Sequence, residues 1–552
     1  MRVPLLASFL LATVSLAAQG TAPADVVTLP AYPVRDDLVL RPPEAWLHAE
    51  LGDFEILSNA SPAATIRIAE QLYRFQSLFR DLFPAAKSAP ALPVTLVLCG
   101  ARGKFADLAR SSGPANANTA SASFRAADAD QTVIVIDLQA RSLDLNLPGQ
   151  LGAPIPGVDP TADSSNVPGA DPTTTEGVAI NHDRLLCREY VHAVLARLTL
   201  RPPAWFAEGL AQLYSRLDIA PDHYGFAKFD DVLIGYFQQR QMLPFDRLFA
   251  IGYDSPEFRQ PVNGTFPAES LAFLHFCLYS RGSKFQQPLF AFVARLNGEP
   301  PSEKLFKEIF HRSYGEMGTA LRSYIETGSY SGADYPLPHP LDVPAIALRD
   351  ATDAEAGRIK GDTLRLAGRF DDARLELLSP HQRGHSDPRL LASLGLLAHA
   401  EQRDKIAEHY LGLAAADRVR LPGAYATLAQ LRYAALTTPA APPLTPPQTG
   451  GILDLLQTAR LLPPPRADVY RLMAETWLHS ATAPAPDALR ALDEGVRRFP
   501  GDANLVHAAA RAKLRAGLTA DAASLAALGI RFAHDDATRA RFRQLQDSLQ
   551  KK

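Results

Sequence analysis

The chain has 552 residues, well beyond the roughly 100–200 of a typical domain, so at least two folding units are expected. With 47% hydrophobic and 21% charged residues, the composition excludes a wholly disordered chain, a collagen and a multi-span membrane protein. Basic and acidic residues nearly cancel (56 against 59, net charge −3), which leaves no basic footprint for nucleic acid.

At the N-terminus, Met1-Arg2 precedes an apolar run to Ala18, and small residues follow around Ala17, Ala18 and Gly20. This is the layout of a secretory signal peptide over residues 1–20, and the run is short for a membrane span. The expectation is an exported protein, periplasmic or extracellular, with no membrane span in the mature chain. Residues 21–45 are punctuated by proline and read as an extended leader. Cys99, Cys187 and Cys277 lack any metal-knuckle spacing and fit three reduced, buried thiols better than one disulfide and a spare.

Residues 46–345 mix strand and helix patterns, so an α+β domain is expected there. Asp53–Asn59 alternates as a strand does, and Ala63–Phe83 repeats Ile66, Leu72, Phe75, Phe79 and Phe83 at helical spacing. Val94–Cys99 and Thr132–Leu138 are short β-branched runs, with Ser121–Arg125 a candidate edge strand between them. Residues 139–181 are rich in Pro, Gly, Asp and Thr and read as a loop insertion. Helical patterns follow at Asp183–Leu200, Ala204–Arg216, Phe229–Arg240, Ala268–Ser280, Gln287–Leu296 and Ser302–Phe310.

The segment from Leu185 to Ser215 carries the candidate chemistry. Arg188, Glu189 and His192 stand at i, i+1 and i+4 on one predicted helix. A second helix beginning after Pro202-Pro203 reads Trp205-Phe206-Ala207-Glu208-Gly209-Leu210. On residues alone, His192 also fits a satisfied core histidine, and Glu208 an ion pair near a helix start. The pattern resembles the exported gluzincin metallopeptidases of the peptidase MA-like group, in which HExxH on one helix is followed by WFxEGLA on the next. Phe266 to Ser270 and the apolar helix after it resemble the segment that packs beside that site. The resemblance implies a zincin-like fold over residues 46–345, with Glu189 as general base, His192 and Glu208 as zinc ligands, and Trp205, Phe206, Gly209 and Ser270 as packing around them.

One position departs from the family pattern. The first ligand position holds Arg188, whose guanidinium offers no lone pair to a metal. Two protein ligands then remain where catalytic zinc needs three. Cys187 is rotated about 100° from Arg188 on a helix and points away from His192, and His182 lies ten residues upstream of it. A guanidinium on this face is instead placed to fill the metal's space and pair with Glu208 or Glu189. Zinc is therefore expected only if the site is active, and an empty or weakly occupied site is the better expectation.

From about residue 346 to 552 the pattern repeats every 34 residues. Gly361 and Gly395, Ala373 and Ala407, Ala488 and Ala522, and Gly495 and Gly529 each keep that spacing. This resembles tetratricopeptide repeats, with Leu391 and Leu472 where an aromatic is usual and residues 437–450 splitting one repeat. The resemblance implies an all-α solenoid of three to five repeats that binds a protein or peptide partner. The leading reading is an exported pseudopeptidase acting as a binding scaffold. Its rivals are an active zinc peptidase with an altered ligand set and a pure interaction module.

Overall fold

The computed structural model describes residues 43–84, 93–109, 122–140, 142–143, 178–198, 201–226, 237, 241–259, 265–280, 282, 284–327, 332–385, 387–533 and 535–550. The expected signal peptide, nearly all of the leader, most of the 139–181 insertion and most of the expected 229–240 helix lie outside the described residues. The first part of the chain runs β1 (Leu47–Leu51), β2 (Phe54–Ser58), α1 (Pro62–Leu82), β3 (Val94–Cys99), α2 (Lys104–Ala109), β4 (Ser123–Ala127) and β5 (Thr132–Asp137). The short pair β6 (Ser142–Leu143) and β7 (Val178–Ala179) closes the neck of the insertion. Then come α3 (His182–Leu195), α4 (Ala204–Tyr214), β8 (Asp218–Ile219), β9 (His223–Phe226), α5 (Phe245–Ala250), α6 (Pro256–Arg259), α7 (Thr265–Tyr279), α8 (Gln286–Arg295), α9 (Glu303–Phe310), α10 (Tyr314–Thr327), β10 (Ala333–Pro336) and β11 (Arg349–Asp350).

Six strands form a mixed sheet in the order β11-β1-β2-β3-β5-β4, with the middle pairs β2–β3 and β3–β5 parallel and both edges antiparallel. The central strands are apolar on both sides, which is the pattern of a sheet covered on both faces. Ile56, Leu96 and Ile134 align in register and point into a core with α1, α3, α4 and α7. Their neighbours Leu57, Val97 and Val135 point the other way, into a second core. The first-face cover begins with α1, whose start is fixed by the Ser61 side chain accepting from Ala64 N and by Pro62 at the first helical position. Its buried stripe is Ile68, Leu72, Phe75 and Phe79.

The second core is supplied by the C-terminal array. Among the described residues it comprises α11 (Asp353–Leu366), α12 (Phe370–Gln382), α13 (Pro388–Ala400), α14 (Asp404–Ala416), α15 (Pro422–Leu436), α16 (Pro446–Leu461), α17 (Ala467–His479), α18 (Pro486–Arg498), α19 (Ala503–Arg515), α20 (Thr519–Arg531) and α21 (Asp536–Gln550). These form five helix pairs and a closing helix, a tetratricopeptide-like all-helical solenoid. The 34-residue spacing has a direct cause. A Cβ on Gly361 would strike Leu377, and one on Gly395 would lie 2.6 Å from Leu411 Cγ, so in the first two pairs the helices touch where the first has no side chain; farther on, Gly495 and Gly529 of the second helices α18 and α20 make room for Tyr470 and Phe542. Ala373 and Ala407 are fully buried on the second helices, and Leu391 and Leu472 fill the places where an aromatic is usual. The 437–450 segment, which joins the two helices of the third pair, is tied to the end of α17 through Leu444, whose N–H donates to His479 O and whose carbonyl accepts from Ala481 N.

The array is not merely appended. One contiguous apolar cluster joins Trp46, Leu57, Val97, Val133 and Val135 to the first helices of the array, and β11 stitches the connecting segment to β1. Charges reinforce this seam. Glu55 on β2 accepts from Arg358 of α11, from Arg389 of α13 at 3.0 Å, and pairs with His48 Nε2 at 3.3 Å. Burial alone would raise the Glu55 pKa, but Arg358, then His48 and Arg389, outweigh it and hold the carboxyl well below the usual range. Replacing Glu55 by Ala leaves Arg358 buried without its carboxylate. It should cost about 3 kcal/mol of stability, read as a lowered midpoint in urea unfolding of the full chain.

Candidate functional site

The two site helices owe their burial to composition. α3 starts at Asn181, whose side chain accepts from Arg184 N, and every residue from Leu185 to Leu195 is buried. α4 follows the Pro202-Pro203 turn and is buried along its whole length. It packs closely on α7 at Gly209, where a Cβ would come within 2.7 Å of Ser270 O. Trp205 is fully buried in an aromatic cluster with Phe206, Phe249, Phe273 and Phe292. Trp205, Phe206 and Gly209 thus lie on α4 itself, and Ser270 meets Gly209 from α7.

Between α3 and α4 lies a buried four-charge cluster. Arg188 grips Glu208 with both prongs of its guanidinium, Nε to Oε1 at 3.0 Å and Nη2 to Oε2 at 2.8 Å, while Nη1 donates to Glu189 Oε1 at 2.8 Å. His192 Nε2 lies 2.8 Å from Glu208 Oε2, and Gln212 Nε2 donates to Glu208 Oε1 at 2.9 Å. On the far side, Arg125 of β4 donates to Glu189 Oε2 at 3.0 Å and to its backbone carbonyl at 3.2 Å, and Ser123 Oγ donates to Glu189 Oε1 at 3.3 Å. Two guanidiniums thus balance two carboxylates.

Burial pushes the Glu208 and Glu189 pKa values up, but Arg188 overcomes that in both, joined by His192 at Glu208 and by Arg125 at Glu189. Both carboxyls lie below the usual range and stay ionised. Burial lowers the His192 pKa more than Glu208 raises it, so the ring is neutral. An ionised carboxylate only accepts, so His192 carries its proton on Nε2, the atom facing Glu208.

Could these residues hold zinc? A tetrahedral catalytic site needs three protein donors with free lone pairs around one point. Here both oxygens of Glu208 are engaged by Arg188, Gln212 and His192, and His192 Nε2 is spent on Glu208. Neither candidate substitute is placed to help. His182 Nε2 lies 2.9 Å from Ala140 O. Cys187 is buried, and burial, then Asp183, raise its thiol pKa well above normal, so it stays protonated. The donor set does not fit zinc. All three cysteines are free and buried.

Sequence reading missed three partners here. Gln212 was reachable, since it stands four residues after Glu208 on the same helix face. Ser123 and Arg125 lie more than sixty residues before Glu189 and are brought to it only by strand pairing at the sheet edge.

No family model matches the chain, and no curated protein matches it. Among solved structures, the crystal structure of MamA is 17% identical, with a TM-score of 0.24 over 35% of this chain and 97% of that one. A thermophilic TPR protein of Thermus thermophilus is 18% identical, with a TM-score of 0.25 over 35% and 98%. Pseudomonas aeruginosa pilF is 16% identical, with a TM-score of 0.25 over 36% and 88%.

Two predictions follow the charges. Arg188→Lys keeps the charge but loses the two-pronged grip, and should cost about 2 kcal/mol, with Arg188→Ala costing more, both read by thermal and urea unfolding. Beside the site on α7, Glu269 is buried with Oε1 unpaired and Oε2 accepting from Leu243 N at 2.7 Å. Burial pushes its pKa up to about 8, against 4.5 normally. Between those values the unfolded chain gives up a proton that the folded chain keeps, so this group's contribution is intact in acid and lost as pH rises toward 8. Glu269→Gln should remove that slope, making the variant more stable than the parent at pH 9 by on the order of 3 kcal/mol and leaving a smaller difference at pH 5, measured by urea unfolding across pH.

Proposed function

We propose that this chain is an exported, zincin-derived pseudopeptidase that works as a protein- or peptide-binding scaffold through its helical repeats. The observation that carries the reading is the Arg188 guanidinium lying between Glu208 and Glu189, with the donors of the would-be ligand set already engaged. A guanidinium can donate hydrogen bonds but cannot coordinate a water and acidify it as a metal ion does, so Glu189 has no metal-bound water to act on as a base. The gluzincin ancestry rests on the spacing of Glu189, His192 and Glu208 and on the packing of Gly209 against Ser270. The repeats supply what an emptied catalytic domain lacks, a long surface of stacked helices suited to a protein partner. Export to the periplasm or beyond rests on residues 1–20.

The test is metal content and its repair. Purified protein should carry far less than one zinc per chain, measured by plasma mass spectrometry, and should not cleave peptide libraries. Arg188→His frees Glu208 and restores a third donor, and should gain zinc binding in calorimetry. Near-stoichiometric zinc in the parent, lost on His192→Ala, would overturn the reading in favour of an active peptidase with an altered ligand set.

A further inference from the structure

Three arginines from separate parts of the chain, Arg197, Arg365 and Arg466, close on one acidic turn. β4 and β5 are joined through Asp128-Ala129-Asp130-Gln131, and Asp128 Oδ1 shapes the turn by accepting from Asp130 N at 2.9 Å and Gln131 N at 3.1 Å. Just past the end of α3, Arg197 donates to the Ala129 and Asp128 carbonyls at 3.0 and 3.3 Å. From the array, Arg365 of α11 donates to Asp128 Oδ2 at 3.1 Å, and Arg466, at the start of α17, donates to Asp130 Oδ1 at 2.6 Å. Arg466 is itself aimed by Asp468.

A hairpin turn needs none of this. Turn carboxylates ordinarily sit in water, yet Asp130 is only 3% exposed. It is received at the first turn of α15, where the residue is Gly423; a Cβ there would collide with Asp130 Oδ2 and lie 2.8 Å from Arg466 Nη1. A helix start cleared of side chain, a pre-aimed arginine beside it and a second arginine for a neighbouring carboxylate make a receptor for two acidic groups. The first helices of four successive pairs, α11, α13, α15 and α17, meet the first part of the chain along this same face.

We propose that this pocket is the array's recognition site for an acidic segment of a partner protein, one presenting two carboxylates two residues apart on a turn, and that the Asp128–Asp130 turn occupies it in cis. The proposal rests on the scaffold reading and names the partner's chemistry and the control over its access. Displacing the turn also reaches the Arg188 cluster, because β4 carries Ser123 and Arg125 to Glu189.

The test uses the full chain and a fluorescently labelled cyclic peptide of residues 126–131, followed by anisotropy. Because the tethered turn competes at high effective concentration, the Asp128→Ala/Asp130→Ala variant should bind the peptide at least about tenfold more tightly than the parent. Adding Gly423→Ala should abolish that binding, and a peptide with asparagine in place of both aspartates should not bind. A variant that melts cooperatively like the parent but binds no tighter, or whose binding ignores Gly423→Ala, overturns the proposal. If the double variant does not melt cooperatively, Asp130→Asn, which keeps the side-chain volume, is judged by the same two readings. The metal measurement stays independent. A folded, zinc-free chain indifferent to the peptide removes the pocket and leaves the scaffold reading standing, whereas zinc uptake by the parent removes the scaffold reading whatever the peptide does.

Discussion

Everything in the molecule hangs on a sheet that is apolar on both faces. β3 and β5 alternate between two cores, and no strand pattern of this kind is stable with one side in water. The helices of the first part cover one face. The other is covered by the repeat array, whose first helices press on Leu57, Val97, Val133 and Val135. The two regions are separable by sequence pattern and continuous by packing. This is why ion pairs such as Glu55 with Arg358 and Asp130 with Arg466 cross the seam almost buried. Once apolar contact has excluded water there, any charge left unpaired would be costly, and each one found has its partner.

That shared core changes what the array can do. A solenoid attached by a linker offers its whole surface to partners. This one has committed the face formed by α11, α13, α15 and α17 to its own sheet and to the β4–β5 turn. Any partner on that face would have to compete against an intramolecular contact, with a strength set by how firmly the turn is held. The same geometry links the repeats to the Arg188 cluster in two ways, since β4 has its turn in the array's grip and its Arg125 on Glu189, and Arg197 ties that turn to the end of α3.

How much of this could be read from the sequence depended on range. Local periodicity placed β2, β3, β5 and α1, and the edge strand expected at Ser121–Arg125 lies at Ser123–Ala127. The helix pairs of the array followed from glycines and alanines spaced at 34, because Gly361, Gly395, Gly495 and Gly529 each stand where a neighbouring helix comes too close for a side chain. The Arg188–Glu208 pairing was also legible, since i, i+4 placement on α3 and one acidic residue early on α4 leave little freedom. β1 was missed because Leu47–Leu51 is short and carries His48, which is buried beside Glu55, and Glu50, which is exposed. α10 was missed because only Met317, Leu321, Tyr324 and Ile325 are buried along its fourteen residues. The contacts of Arg125, Arg197, Arg365 and Arg466 were beyond reach. An arginine read from sequence is by default a solvated surface residue, and only tertiary pairing distinguishes those four.

On the proposed zincin ancestry, Arg188 accounts for the loss of a metal site without loss of the fold around it. A zinc ion between α3 and α4 would bring two positive charges to two carboxylates held in a dry place. Arg188 and Arg125 bring the same two charges to Glu208 and Glu189. The electrostatic requirement of the buried carboxylates is met, so both can remain ionised. The geometric requirement is met as well, because a guanidinium is planar and matches a carboxylate with two parallel bonds, where a lysine would reach only one oxygen at a time. What the exchange discards is the empty coordination position. A fixed organic cation holds the helices together as an ion would, but it offers no place for a water to bind and lose its proton. Structure and metal-based catalysis place different demands on the same charge, and a guanidinium at this position meets only the first.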